Sequence, residues 1–345
     1  MRAAAHGAKV GLPAVAHGAK VGTRLATVRP MRKAALVWLL AIPAIVAEVP
    51  AATPIRCGIE MRNVALHLAD GIVLGVNTLN GEFISHSATE PPIFDDPGSY
   101  TLRMKAADVS MDAGSLTALL QQTLSRHPSP LSGVTLTIED GRLKAKGTLK
   151  KGVSVPFSMT ATVAATPDGQ LRLHAEKIKA AGVPVKGLLD LLGLDLDNLM
   201  KMPPGSGMRA DNDDLLLDTA AMMPPPRMEG KLLSAAVDGG RLKLRMSGSA
   251  QPPQRQATLP LPAARNYLYF FGGVIRFGKL TMTDADMQLI DADPSTPFDF
   301  FPAHYEAQLV AGYSRNTRRK GLQVFMPDYA RVAAKGVILS PPKDR

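Results

Sequence analysis

Apolar and polar positions alternate without a break from Val153 to Val163. Val153, Val155, Phe157, Met159, Ala161 and Val163 fall on one face, and Ser154, Pro156, Ser158, Thr160 and Thr162 on the other. Six successive matches to period 2 predict a strand with one greasy face and one wet face. The plan recurs on both sides. Val134, Leu136 and Ile138 precede a turn, and Leu143, Ala145 and Leu149 follow it. Leu171, Leu173 and Ala175 oppose Arg172, His174 and Glu176; Leu242, Leu244 and Met246 oppose Arg241, Lys243 and Arg245. Turn pairs stand at Asp70-Gly71, Asn80-Gly81, Asp140-Gly141, Asp168-Gly169 and Asp238-Gly239. Such pairs accept the positive backbone angles that tight hairpins require. The pattern predicts an antiparallel meander, polar outside and aliphatic inside.

Period 3.6 replaces period 2 in two places. "SMDAGSLTALLQQTLSR" sets Leu116, Leu119, Leu120 and Leu124 on one helical face, with Ser110 or Ser115 as the cap. "VKGLLDLLGLDLDNLM" covers much of a second helix with Leu188, Leu189, Leu191, Leu192, Leu194, Leu196 and Leu199, interrupted by Gly193. Proline-rich breakers follow at Met202–Gly207, Met222–Met228 and Gln251–Pro262. The C-terminal third returns to strands: a hairpin or two strands in "NYLYFFGGVIRFGKLTMTDADMQLIDADP", a helix at "AHYEAQLVAGY", and closing strands at "GLQVFMP" and "VAAKGVIL". Without a repeat of 20–50 residues, solenoids and propellers are disfavoured. The expected organisation is an N-terminal extension over 1–51, an α+β domain over 52–205, a Pro-rich connection over 206–262, and a β-rich region over 263–345.

Composition sharpens this picture. The 345 residues are 46% hydrophobic and 20% charged, enough apolar mass for a sizeable core, but only 5% aromatic with a single Trp. Aliphatic walls are therefore expected rather than base-stacking platforms. The formal charge of +10 is concentrated at the start, where Arg2, Lys9, Lys20, Arg24, Arg29, Arg32 and Lys33 face Glu48 alone. Without residues 1–51, 33 basic and 29 acidic residues remain, a net of +4. No nucleic-acid partner is implied by so small an excess, and an anionic membrane surface is equally compatible. Arg32 and Lys33, then apolar Ala34 to Ala47 broken by Pro43, then small residues near Ala51, read as a secretory signal with its start at Met31. That run is short for a membrane span of about 20 residues. An uncleaved anchor is the competing reading. "AHGAKVG" occurs twice upstream, at Ala5–Gly11 and Ala16–Gly22, and is set aside from the fold. Cys57 is the only cysteine, so no internal disulfide forms, and "TPIR" before it does not fit a lipoprotein signal.

Candidate chemistry is sparse. There is no G-x-S-x-G, no phosphate-binding glycine loop and no H-E-x-x-H. His67, His86, His127, His174 and His304 are isolated along the chain, with His67 and His174 on predicted strands beside solvent-facing neighbours. Surface histidines are expected rather than a zinc site. "DNDD" at Asp211–Asp214, and Asp284, Asp286, Asp291 and Asp293, lack the spacing of a calcium loop. They read as turn or surface acids, with Asp284 and Asp286 on the wet side of a strand. Arg315, Arg318, Arg319 and Lys320 read as a solvated hairpin loop, with anionic headgroups as the other option. No cofactor, metal or catalytic residue is expected. If the chain were an enzyme, Asp284, Asp286 and Asp291 would be its candidates.

The element order over Thr101 to Met202, a helix, "DGRLKAKGTL", "VSVPFSMTATV" and "DGQLRLHAEKIKAAGVPVKGLLDLLGLDLDNLM", resembles the LmeA-type bacterial phospholipid-binding family, related to the tubular lipid-binding (TULIP) proteins. The resemblance implies a long curved antiparallel sheet wrapped around one or two helices, a half-barrel with an aliphatic groove for acyl chains. It places Val155, Phe157, Met159, Ala161, Val163, Leu171 and Leu173 on the groove wall. Leu116, Leu119, Leu120 and Leu124, with Leu188, Leu189, Leu191 and Leu192, become its cover. The region from Asn266 onward has no counterpart in that family. The expected function is an exported binder or carrier of phospholipid or another acyl ligand, touching the membrane surface without making or breaking bonds. A non-catalytic assembly factor of the cell envelope, its sheet fully packed, is the alternative.

Overall fold

Three long strands form the first part of the chain: β1 (Arg56–Ala69), β2 (Ile72–Ser85) and β3 (Tyr100–Asp112). Fourteen residues at about 3.3 Å each make β1 and β2 about 45 Å long. The hairpin at Asp70-Gly71 joins β1 to β2, with Gly71 at φ +72° as the pair predicts. The computed structural model describes residues 53–126, 129–151, 153–184, 207–253, 264–317 and 321–341. These belong to one compact unit, Ala51–Arg345. The expected helix over Leu188, Leu189, Leu191 and Leu192 lies outside the described residues.

Both outer edges of this ribbon are shared. β14 (Tyr267–Phe277) pairs antiparallel with β1 over Cys57–Arg62, and β17 (Phe298–Phe300) pairs parallel with it over Val64–Leu66. Along β3, β11 (Arg227–Glu229) pairs parallel over Thr101–Arg103, and β13 (Arg241–Ser247) pairs antiparallel over Ala106–Asp112. With β12 (Lys231–Asp238), β15 (Leu280–Thr283), β16 (Asp286–Asp291), β18 (Tyr313–Asn316) and β19 (Leu322–Met326), they form a 12-stranded sheet. Its path runs β12-β13-β3-β2-β1-β14-β16-β19-β18 and does not close. The residues expected to connect two domains, 206–262, thus supply strands to this sheet, and the C-terminal strands bond directly to β1.

The second sheet has seven strands: β4 (Leu131–Glu139), β5 (Arg142–Lys151), β6 (Val153–Ala165), β7 (Leu171–Ala180), β8 (Val183–Pro184), β9 (Met208–Asp211) and β10 (Asp214–Leu217). It is the predicted meander, antiparallel throughout. Helix α1 (Ala113–Arg126) packs on β4 and on β2 and β3, and β12 lies against β6. One continuous apolar core therefore spans both sheets. Three short helices complete the described structure: α2 (Thr219–Met222), α3 (Tyr305–Ala311) and α4 (Tyr329–Lys335). The fold class is α+β, dominated by large open sheets. No described helix is long and apolar enough to cross a membrane.

Four local expectations change. Asn80-Gly81 is no turn: it sits inside β2, at a register shift where β3 comes close. A Cβ at Gly81 would stand 2.5 Å from the Arg103 carbonyl oxygen, so the glycine serves a backbone approach. Asp112, rather than a serine, caps α1 by accepting from the Ser115 N–H at 2.8 Å. Ser115 is buried, and its hydroxyl instead accepts from the Val73 N–H. "VAAKGVIL" begins as the end of α4, which Gly336 terminates at φ +57°. Val153, at the start of the best alternating stretch, is 70% exposed.

The two kinds of glycine separate by mutation. Gly81→Ala must push the backbones of β2 and β3 apart and is expected to destabilise by roughly 1–3 kcal/mol. Gly141→Ala meets nothing within 4 Å and carries only the left-handed cost, about 1–2 kcal/mol. Urea midpoints give both values. A Gly81→Ala loss below that of Gly141→Ala would restore the turn reading for Asn80-Gly81.

Candidate functional site

The segment after β10 leaves the second sheet, forms α2, runs through Pro224, Pro225 and Pro226, and joins the first sheet as β11. Asp218 starts α2 by accepting from the N–H groups of Ala220 and Ala221. The result is a strap across one face of the β1–β3 ribbon. Two cavities lie beneath it.

The larger is about 160 Å³. Its floor is Met61, Leu66 and Leu68 of β1, Phe83 of β2 and Leu102 of β3, and its roof is Pro225, Pro226 and Met228 of the strap. Phe94, Tyr100 and Phe300 supply aromatic walls. The smaller, about 30 Å³, is bounded by Leu74, Leu79, Met104, Val109, Leu244 and Met246 below and by Ala220 and Met223 above. Leu66, Leu102 and Met228 belong to the walls of both, so the two voids sit end to end. The period-2 pattern of the strands explains the apolar floor. The prolines cannot extend a helix or strand across the gap, and so hold the strap as an irregular cover.

Two polar groups, His67 and Asp95, face the larger cavity. His67 Nε2 lies 2.5 Å from Asp299 Oδ1, and its ring stacks on Phe301 at 5.0 Å and meets the edge of Tyr329. Burial pushes the Asp299 carboxyl upward, but His67 and the Ala330 N–H outweigh it and hold the group below the ordinary range. Asp95 accepts from the Gly278 N–H and from Tyr305, whose phenol is raised by burial first and by this carboxylate second. His67 is therefore a positioned group at a cavity wall rather than the surface histidine its strand neighbours suggested. His174, 52% exposed and paired with Asp214 at 2.8 Å, does match the surface expectation.

The expected groove lies on the other sheet. Phe157, Met159, Ala161, Leu171 and Leu173 are buried, and Val155 and Val163 half-buried. Leu119 is buried, while Leu116, Leu120 and Leu124 pack half-buried against the same core. None of these residues lines either of the two cavities beneath the strap. Those that are described, Val155 apart, gather on one apolar core, and the expected cover at Leu188, Leu189, Leu191 and Leu192 lies outside the described residues. What sequence reading missed is the aromatic cluster. Phe94, Phe270, Phe277 and Tyr305 meet within 4.8–6.1 Å, and a low overall aromatic content concealed that concentration.

The candidate acids do not converge. Asp284 is a positive-φ residue at φ +53°. Asp286 is buried rather than wet, its carboxylate without a hydrogen-bond partner among the described residues and in the space a side chain at Gly321 would need. Asp291 faces the opposite way on β16, where it accepts from Asn266 Nδ2 at 2.8 Å and from the Asp293 N–H. "DNDD" forms the β9–β10 hairpin with Asn212 at φ +53°. Among the described residues, no group of three His, Cys, Asp or Glu side chains could hold a metal ion. Cys57 is fully buried, and burial pushes its thiol up to about 12, which removes it as a nucleophile.

Burial pushes Asp291 up to about 6, against its bonds from Asn266 and Asp293. The folded state therefore binds this proton more tightly than the unfolded chain, whose aspartate titrates near about 3.9. Stability attributable to this group falls as pH rises from about 4 to about 6 and is flat on either side. Relative to Asp291→Asn, the natural protein should lose up to about 3 kcal/mol across that window. Paired urea melts check it, and a gap independent of pH would remove Asp291 as the titrating group.

Comparison with protein-family models, with curated proteins and with solved structures returned no match to this chain.

Proposed function

We propose that this protein binds an acyl chain or similar amphiphile beneath the proline strap, as an exported lipid-binding protein of the envelope. The observation that carries this is the pair of end-to-end apolar cavities, with His67 and Asp95 at the larger one. A hydrocarbon tail would lie along Leu66, Leu102 and Met228, and a hydrogen-bonding head would meet His67, whose Nδ1 has no protein partner among the described residues. The half-barrel of the tubular lipid-binding type would then correspond to the first sheet with its strap, not to the second sheet.

Volume decides how this must work. A cavity near 150 Å³ holds about one benzene, whereas ligand pockets usually run to about 300–1,000 Å³. At about 160 Å³ the larger void takes a ring or a short hydrocarbon segment as it stands. A full chain requires the methionines to repack. Met104, Met223, Met228 and Met246 line the smaller void, and unbranched thioether side chains repack more readily than β-branched ones. One observation favours the packed assembly factor instead: Phe157, Met159, Ala161, Leu171 and Leu173 of the second sheet are buried in the same core as the first.

A fluorescent fatty-acid titration tests the proposal, alongside mass spectrometry of lipids extracted from protein purified from its native envelope. Ala303 lines the larger cavity yet is exposed on a short 3-10 helix, so Ala303→Trp can plug the opening without harming the core. The expected result is at least roughly tenfold weaker probe binding with an unchanged melting temperature, about 1.4 kcal/mol of binding energy. Absence of both co-purified lipid and probe uptake by the natural protein would favour the packed assembly factor.

A further inference from the structure

The polar face of the second sheet is divided into two electrostatic halves by a β-bulge. Pairing between β6 and β7 shifts register between Thr160 and Ala161: Thr160 opposes Lys177, while Ala161 opposes Ala175. Glu176 is the extra residue. Strict alternation from Leu171, Leu173 and Ala175 would send Lys177 and Lys179 into the core and Ile178 into water. The bulge reverses that parity, so Ile178 is buried and both lysines are exposed.

The lysines consequently line up with those of β5. Lys144 opposes Thr160, which opposes Lys177; Lys146 opposes Ser158, which opposes Lys179. With strands about 4.8 Å apart, the two lysine columns stand about 10 Å from each other with hydroxyls between. On one side of the bulge the charges are matched, Arg142 with Glu176 and His174 with Asp214, and Lys144, in the first row across it, reaches back to Glu139. On the other side Lys146, Lys150, Lys177 and Lys179 are exposed and have no ion pair among the described residues. The β5–β6 connection ends this half, and there Val153 is 70% exposed.

We propose that this half of the second sheet docks on an anionic bilayer surface. The lysines and the Ser158 and Thr160 hydroxyls would meet lipid phosphates, and Val153, whose side chain leaves the opposite face at the start of β6, would enter the interface at the rim. Neither the cavity nor its ligand enters this argument. An anionic leaflet attracts flexible, unpaired lysines individually, and a lone apolar side chain at the rim adds insertion. Matched pairs on the other half would keep the sheet from lying flat, so contact is made edge-first.

Co-sedimentation with phosphatidylcholine vesicles, with and without phosphatidylglycerol, tests it. The natural protein should bind only the anionic vesicles and release with added salt. Each lysine near such a surface is worth roughly fivefold, so Lys146→Gln with Lys179→Gln should weaken binding by roughly thirtyfold, and Val153→Asp further. Lys105→Gln with Lys279→Gln removes the same charge from exposed sites elsewhere and should leave binding nearly unchanged. All four lysines being exposed, melting temperatures should not move. Equal losses in the two double variants, equal binding to neutral vesicles, no vesicle binding, or duplex DNA bound as tightly as vesicles would each overturn the proposal. Fatty-acid uptake by the lysine variants, measured without vesicles, should equal that of the natural protein, so this surface and the cavity can fail separately.

Discussion

Every part of the fold depends on the backbone hydrogen bonds along the two edges of the β1–β3 ribbon. An unpaired strand edge about 45 Å long presents a row of unsatisfied donors and acceptors, and invites association with other chains. Here each edge is taken by two strands of opposite direction: β14 and β17 along β1, β13 and β11 along β3. Those partners come from the middle and the end of the sequence. The ribbon is therefore completed only when the chain has returned to it repeatedly, and separation into an N-terminal and a C-terminal domain would leave it bare.

The strap and the cavities are consequences of this closure. To place β11 on β3, the chain must cross from the last strand of the second sheet over the face of the ribbon. Proline keeps the crossing out of regular structure and supplies no backbone donor that would need burial with a partner. A cover made of one helical turn, a proline run and a three-residue strand packs less closely than a long helix or strand. Voids form beneath it, and methionine lines them. On the second sheet α1 and β12 lie directly against the strands, and its described apolar residues join the core.

The sequence was most legible where one physical rule acted alone. The meander of β4–β7 followed from alternation and from Asp140-Gly141 and Asp168-Gly169, and α1 followed from Leu116, Leu119, Leu120 and Leu124. Errors arose where two rules share one signature. Asn-Gly marks a tight turn, but Gly81 is equally required by a close strand approach. "VAAKG" suits a strand by its valine and a helix by its alanines, and Gly336 in the left-handed region decided it. The candidate groove carries that ambiguity without being decided by it, since a strand face built to line a ligand and one built to fill a core carry the same residues. His67 was misread for a different reason. Its strand neighbours are visible in the sequence, but Asp299 and Phe301 reach it from more than 230 positions away.

The bulge in β7 shows how one residue can redistribute charge over a whole face. "AEKIKA" contains an apolar residue between two lysines, and either parity leaves something misplaced in an unbroken strand: Ile178 in water, or Leu171, Leu173 and Ala175. Exposing Ile178 would forgo roughly 1.5–3 kcal/mol of burial, and burying Lys177 and Lys179 would strand two charges in an apolar core. One extra residue resolves both conflicts, because a bulge changes parity without breaking the ladder for more than a step. Glu176, the residue spent on the shift, is not wasted, for it turns outward and binds Arg142. Core packing and surface charge along β7 are therefore set together by one backbone irregularity. The lysines gather on one half because the core required Ile178, and the division of the face into paired and unpaired halves follows from where that requirement fell.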